Sequence, residues 1–283
     1  MLSSDEFRLF QRLIYEESGI CLRDDRQSFL HNRLAKRFKA TGLNSPYRYY
    51  RLLTQGTTTA KQELLILLDS LTINETSFFR NQPQFLLLRG TVLPEIIHAK
   101  TARDQHTLRI WSAGCSTGQE PYSIAIVLLE TIPYLRLWDV KVLASDLSLT
   151  ALEAAQQARY PREKIPAVPA DWLAQYFHAD GDHYVVRKEV KDLVVFDFHN
   201  LKHENGLADL DIIFCRNVLI YFDQAEQRKL IDKFYRSLTP GGYLFLGHAE
   251  TLHGLSNKFR FIHRNKGTAY QRLEVAEVPS SVA

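Results

Sequence analysis

Leu108-Arg-Ile-Trp-Ser-Ala-Gly114-Cys-Ser-Thr-Gly118-Gln-Glu120-Pro-Tyr-Ser-Ile-Ala-Ile-Val-Leu-Leu-Glu130 is the stretch that decides the fold. Leu108 to Ser112 reads as a short strand, Gly114 to Gly118 as a glycine-containing turn, and Glu120 to Glu130 as an apolar helix. The rhythm continues downstream. Val140 to Ala144 reads as a strand that ends at Ser145-Asp146 and leads into another helix. Val194 to Phe196, Ile212 to Cys215 and Tyr243 to Leu246 are further strands, with a helix from Gln224 to Leu238 between the last two. Arg260 to His263 and Thr268 to Arg272 flank Asn265-Lys266-Gly267 as a hairpin. This alternation predicts an α/β fold of Rossmann-like form: a parallel sheet with helices on both faces, extended by the hairpin as an antiparallel edge.

Upstream, helical punctuation replaces strand alternation. Ser3 with Glu6 predicts a capping box; Phe7, Phe10, Leu13 and Ile14 follow at helical spacing, and Gly19 ends the helix. A second helix from near Asp24 places Phe29, Leu30, Leu34 and Phe38 on an inward apolar stripe and stops before Gly42. Ser45-Pro46 opens a third helix, and Thr58 to Leu71 forms a fourth. The organisation expected is therefore an N-terminal all-helical domain over residues 1–72, a linker over 73–82 and an α/β domain over 83–283. A small inserted β subdomain at about 160–192 breaks the rhythm with Pro161, Pro166 and Pro169 and a turn at Asp180-Gly181-Asp182.

With 45% hydrophobic and 24% charged residues the chain has the composition of an ordinary globular protein. Cys21, Cys115 and Cys215 lie far apart with no CxxC pair, which fits a reduced, cytoplasmic protein. Neither an N-terminal apolar h-region nor an apolar run of ~20 residues is present, so no signal peptide and no direct membrane insertion are expected. The net charge of +3 conceals an asymmetry. Arg26, Arg33, Lys36, Arg37, Lys39, Arg48, Arg51 and Lys61 fall between Arg26 and Gln62 without one acidic residue, leaving 27 basic against 32 acidic residues elsewhere. Such a concentration steers an acidic partner.

Several residues carry candidate chemistry. In the Gly114 to Gly118 turn, glycines let the backbone approach a ligand and the helix start offers free N–H groups; the plainer reading is a tight turn. The same turn matches G-x-S-x-G, with Ser116, Asp211 and His248 in hydrolase order, although no HGGG-like loop supplies an oxyanion hole. Asp146, at a strand end, suits the ribose hydroxyls of an adenosine, or else a helix N-cap. Glu120 opens a crossover helix, where its charge also meets the helix dipole. Ile73 to Arg80 sets two phenylalanines beside an arginine, more than a plain linker needs. Asp211 to Asp223 is a buried strand delivering Arg216, Asn217 and Tyr221 to the sheet edge where ligands bind, unless Asn217 only turns the chain and Tyr221 only packs. His199 and His203 are four apart, but no HExxH or cysteine cluster accompanies them, so they read as solvent-facing and no metal is expected.

Five motifs stand in order along the chain: Asn74-Glu-Thr-Ser-Phe-Phe-Arg80, Trp111-Ser-Ala-Gly-Cys-Ser-Thr-Gly-Gln-Glu-Pro-Tyr-Ser123, Ala144-Ser-Asp146, Ile213-Phe-Cys-Arg-Asn-Val-Leu-Ile-Tyr-Phe-Asp223 and Gly247-His-Ala-Glu250. Together they resemble the CheR family, the chemotaxis-receptor glutamate O-methyltransferases. The resemblance implies an S-adenosylmethionine pocket lined by Asn74, Thr76, Arg80, Glu120, Asp146, Asn200, Leu201, Arg216 and Asn217. It puts Asp146 on the ribose, Asn200-Leu201 near the adenine, and Arg80 and Tyr221 closest to the transferred methyl group. It also implies that the basic N-terminal helix docks on the cytoplasmic helical bundle of methyl-accepting chemoreceptors, recruiting the enzyme to receptor arrays at the inner membrane. S-adenosylhomocysteine is the product expected.

Arg26, Arg33, Lys36 and Arg37 recur at intervals that put them on one helix face, the expected docking surface. Nucleic acid is the rival partner for a positive patch, but Cys-Arg-Asn-Val after the strand lacks the Asn/Asp-Pro-Pro-aromatic pattern of base methylation. A non-enzymatic adenosine-nucleotide sensor is a third reading. The segment Tyr176 to His183 is shorter than in family members that tether to a receptor's C-terminal pentapeptide, so tail-independent methylation is expected.

Overall fold

The computed structural model describes residues 2–274; residues 275–283, where the expected α/β domain ends, lie outside them. The N-terminal part comprises α1 (Ser4–Ser18), α2 (Gln27–Thr41), α3 (Pro46–Leu53) and α4 (Thr58–Leu71). The start of α1 is the capping box: Ser3 Oγ accepts the Glu6 N–H at 3.2 Å and the Glu6 carboxylate accepts the Ser3 N–H at 2.8 Å. Gly19, with φ of 75°, turns the chain out of that helix. Phe10, Ile14, Leu30, Leu34, Tyr49 and Leu67 form the core of this part.

Two details of α2 differ from the sequence expectation. Arg37 does not project with Arg26, Arg33 and Lys36: its Nε and Nη2 donate to Glu63 at 2.9 and 2.7 Å, and its side chain is 19% exposed. Glu63 also accepts the Tyr49 hydroxyl at 2.6 Å, so Arg37 belongs to a buried network joining α2, α3 and α4. Phe29 is only partly buried, with the guanidinium carbons of Arg33 and Arg26 at 5.0 and 6.0 Å from its ring centroid.

After the linker, α5 (Gln82–Leu87) runs through a π-turn at Leu88–Val92 into α6 (Leu93–Thr101). The α/β part then contains β1 (Thr107–Ala113), α7 (Gln119–Thr131), β2 (Asp139–Asp146) and α8 (Leu149–Gln157). The insertion holds β3 (Arg159–Pro161), α9 (Ala170–Tyr176), β4 (Phe177–Asp180), β5 (His183–Val186) and α10 (Lys188–Lys191), with its strands in antiparallel order β3-β5-β4. The chain then continues through β6 (Val194–Phe198), β7 (Leu210–Cys215), α11 (Gln224–Ser237), β8 (Leu238–Leu246), β9 (Phe259–Arg264) and β10 (Gly267–Arg272).

The seven-stranded sheet has the order β6-β2-β1-β7-β8-β10-β9. Its first five strands are parallel and the terminal hairpin adds two antiparallel ones. Every residue of β7 is buried, as a central strand covered on both faces requires, and Phe214 stacks on Phe245 of β8 at 4.4 Å. From β1 the chain builds outward to β2 and β6 on one side, then returns to add β7 and β8 on the other. That reversal opens a crevice beyond the carboxyl ends of β1 and β7. Among the described residues, no helix is long and apolar enough to cross a membrane.

Candidate active site

A cavity of about 1010 Å³, counting its open mouth, occupies that crevice. Asn74, Thr76, Arg80, Glu120, Asp146, Asn200, Leu201, Arg216, Asn217 and Tyr221 all line it. Four segments following strands meet here, together with the linker and the end of α1, which contributes Ser18 and Ile20.

The turn after β1 owes its glycines to backbone shape and packing rather than to ligand approach. Gly114 and Gly118 have φ of 86° and 92°, and a Cβ on either would strike protein: Val218 at 2.5 Å from the first, Ala155 Cβ at 2.8 Å from the second. Ser116, between them, also takes a positive φ of 51°. Its N–H donates to Asp146 Oδ2 at 2.8 Å, while the Ser148 N–H donates to Oδ1 at 2.9 Å. These two donors aim the Asp146 carboxylate. Ser148, not Asp146, is the N-cap of α8. Each Asp146 oxygen keeps a lone-pair direction for a further donor. Burial pushes the Asp146 carboxyl above its ordinary value, with the Ser148 and Ser116 N–H groups opposing.

Glu120 is largely buried, with 11% of its side chain exposed, and both carboxylate oxygens are engaged. It accepts the Ser112 hydroxyl at 2.8 Å and Arg216 Nη1 at 3.1 Å. Burial raises its pKa, with the Arg216 charge acting against the rise, and lowers that of Arg216. Arg216 Nη2 in turn donates to the Arg80 carbonyl, so one guanidinium ties the start of α7, the end of β7 and the linker together.

The two phenylalanines of the linker explain its composition. Phe78 packs edge-on against Tyr160 and Phe177 at 5.0 and 5.3 Å, and Phe79 against Phe85 at 5.3 Å. Phe79 also donates its N–H to Ser123 Oγ at 3.0 Å. Thus anchored, the linker presents Arg80 at the exposed mouth, where Nη1 donates to the Glu75 carbonyl at 2.9 Å. Asn74 Nδ2 bonds Thr72 Oγ1 and Ser148 Oγ, each at 3.2 Å. Tyr221 is half-buried; burial raises its pKa and the Arg80 charge opposes that.

The sequence reading assigned no separate role to Glu250. A single oxygen, Oε2, accepts the Asn217 N–H at 2.9 Å and the Gly247 N–H at 2.6 Å, clamping the ends of β7 and β8 together and holding Asn217 at φ of 60°. Ser18 and Ile20 were also missed, since nothing local in α1 marks them as pocket wall. His199 needs correction: expected to face solvent, it instead lines the cavity from the loop after β6, 6.0 Å from the Trp111 ring. Burial, then the charge of Lys233, lowers its pKa. The hydrolase reading fails because Asp211 is at the opposite end of the sheet. There it meets Lys100 Nζ at 2.8 Å and the Arg109 N–H at 2.9 Å.

Three buried polar atoms on cavity-lining residues have no partner within the protein: Ser116 Oγ, His199 Nε2 and Arg216 Nε. With the carboxylates of Glu75, Glu120 and Asp146 and a mixed apolar wall, this is a site able to take a polar ligand of nucleoside type.

Comparison with known proteins agrees with that chemistry. Residues 5–72 match the CheR methyltransferase all-alpha domain, and residues 74–268 match the CheR methyltransferase S-adenosylmethionine-binding domain. The chain belongs to the CheR methyltransferase family. It is 34% identical to chemotaxis protein methyltransferase 2 of Vibrio cholerae over 280 residues, covering 96% of this chain and 94% of that one. It is 37% identical to the chemotaxis protein methyltransferase of Salmonella typhimurium over 266 residues, 91% and 88% of the two chains. The counterpart in Borreliella burgdorferi is 33% identical over 260 residues, 90% and 91%. Within the CheR frame, Ser18 and Ile20 belong to the all-alpha domain, while most of the cavity wall belongs to the S-adenosylmethionine-binding domain.

Proposed function

We propose that this protein transfers the methyl group of S-adenosylmethionine to glutamate side chains of methyl-accepting chemoreceptors, acting in the cytoplasm at receptor arrays. The observation that carries the reading is the convergence of Asn74, Thr76, Arg80, Glu120, Asp146, Asn200, Leu201, Arg216, Asn217 and Tyr221 on one cavity in a chain of this family. Bound there, S-adenosylmethionine supplies an electrophilic methyl group on sulfur, and its transfer leaves a glutamate methyl ester and S-adenosylhomocysteine.

The protein's residues hold and orient. Asp146, aimed by two backbone donors, takes the ribose hydroxyls. Asn200 and Leu201 border the adenine, with Asn200 fixed in place: its Nδ2 donates to the Glu17 carbonyl at 2.7 Å and its Oδ1 accepts the Lys202 N–H at 3.1 Å. A glutamate side chain, with a pKa near ~4.3, is ionised at neutral pH and needs no general base. Arg80 at the mouth orients that carboxylate by a charge-assisted hydrogen bond, and Tyr221 lines the same opening. Rate enhancement then comes from alignment.

Arg33 and Lys36 on α2, with Arg26 at the turn before it, form the face that meets the acidic receptor bundle; Arg37 holds the helix in place from inside. No metal and no receptor tail enters this reading. The deciding experiment incubates the purified protein with methyl-labelled S-adenosylmethionine and receptor-containing membranes. Base-labile label on the receptor is expected; label on nucleic acid, or none on receptor, overturns the reading.

A further inference from the structure

The end of α1 is an unusual helix C-terminus. Its sequence there is Tyr15-Glu16-Glu17-Ser18, with no basic residue in the last turn, so two negative charges sit where the helix dipole is already negative. The missing cation comes from the other domain. Lys202 Nζ donates to the Tyr15 carbonyl at 2.7 Å and the Glu16 carbonyl at 2.6 Å, and lies 5.2 Å from the Tyr15 ring centroid. Its neighbour Asn200 donates to the Glu17 carbonyl. Three successive carbonyls of the helical domain are thus capped by one loop of the α/β domain.

Both partners in this contact are walls of the cavity. Asn200 and Leu201 line it from the loop, and Ser18 and Ile20 from the turn after α1. The loop is held from beneath by Lys233 of α11, whose Nζ donates to the Leu201 carbonyl and, at 2.6 Å, to the His203 carbonyl. The helix end is joined to the reactive edge as well, because Cys21 donates its N–H to the Tyr221 carbonyl at 2.8 Å and Tyr15 its hydroxyl to Asp223 at 2.9 Å. Lys202 itself does not line the cavity.

We propose that Lys202 is a positioning residue that couples cofactor affinity to the seating of the helical domain. The inference rests on the reading of the cavity as the S-adenosylmethionine site. Withdrawing the cation loosens α1 from the loop and opens the wall that Ser18, Ile20 and Leu201 share. Because coupling free energy is reciprocal, cofactor binding tightens the seat of α1 by the same factor. The domain carrying the basic face is then held most firmly when the cofactor site is occupied.

The test uses the full chain and S-adenosylhomocysteine as probe, with Lys202→Met, Lys202→Arg and Asp146→Ala. Lys202→Met is expected to raise the dissociation constant about five- to tenfold, the lower end of the range for coupling between two sites, while kcat at saturating cofactor changes by less than about twofold. Lys202→Arg restores affinity. Hydrogen exchange at the Gly19 and Cys21 amides slows on adding S-adenosylhomocysteine to the wild type and slows less in Lys202→Met. If Asp146→Ala weakens binding but Lys202→Met does not, or exchange slows equally in both proteins, the coupling is wrong and the cavity reading stands. Failure of Lys202→Arg to restore binding also overturns it. If Asp146→Ala leaves binding intact, the cavity reading falls and the inference with it.

Discussion

Arg216 meets Glu120 at 3.1 Å with only 3% and 11% of their side chains exposed, making the floor of the cavity a desolvated ion pair. Neither charge has water to fall back on. Removing one partner from such a pair costs about 3–5 kcal/mol, because the other charge is left buried and uncompensated. Glu120→Ala and Arg216→Met should therefore each lower the melting temperature by roughly 10 °C and abolish measurable S-adenosylhomocysteine binding. Unchanged melting in both would refute a stabilising role for the pair.

Acid should weaken cofactor binding before it unfolds the protein. Burial raises the pKa of Glu120 and Asp146 above their ordinary 4.5 and 3.8. A carboxyl raised in the folded state takes up its proton there first. Its contribution to stability is thus present in acid and lost as pH rises through the raised value. Binding has the opposite sign, because the ligand needs the anions. Calorimetric titration from about pH 7 to about pH 5 should show the dissociation constant rising, less steeply in Asp146→Asn. A flat profile in the wild type would contradict the assignment.

The basic face and the cofactor site should separate cleanly under mutation. Arg33→Glu with Lys36→Glu is expected to spare S-adenosylhomocysteine binding and to lower initial rates of receptor methylation about tenfold or more, as loss of electrostatic steering does. Arg37→Glu should behave differently. It sets a second carboxylate against Glu63 beside Tyr49, so the expected effect is a lower melting temperature, read by calorimetry. Equal melting for the two variants would mean that Arg37 is surface after all.

Tyr221→Phe isolates the hydroxyl at the mouth. We expect kcat to fall about tenfold or more with little change in S-adenosylhomocysteine affinity, the signature of lost alignment in the reacting complex rather than lost binding. A proportional loss of affinity would move Tyr221 from reaction geometry to the cofactor wall.

Receptor tails supply a further check. Deleting the C-terminal pentapeptide of a receptor should leave the initial methylation rate within about twofold, because docking is assigned to α2, where rate follows steering. A large loss would restore the tether.

The fold was legible because its signals are local. Ser3 and Glu6 form their capping box, Gly19 and Gly42 end helices in left-handed conformation, and Ser45-Pro46 starts α3. Hydrophobic periodicity does the same for the sheet: the run from Leu210 to Cys215 has no polar face after Asp211, so it had to be a central strand. Cavity-lining residues were legible where a motif places them at a strand end, as with Asp146, Arg216 and Asn217. Arg37 was misassigned because spacing puts it on the same face as Arg33 and Lys36, whereas a carboxylate 26 residues away pulls it inward. His199 was misassigned for the same kind of reason, its neighbour Trp111 being 88 residues distant in the chain.

By itself, then, the amino-acid order determined the elements, the sheet class, the division into helical and α/β parts and the loops that carry polar side chains. All of these follow from backbone propensity and periodic burial within a few residues. Tertiary structure alone decided which charges are free and which are paired, and that the cavity is walled from both domains. It was also needed to reveal that Lys202 caps a helix some 186 residues away. Such contacts depend on where distant segments come to rest, and short-range pattern holds no record of that.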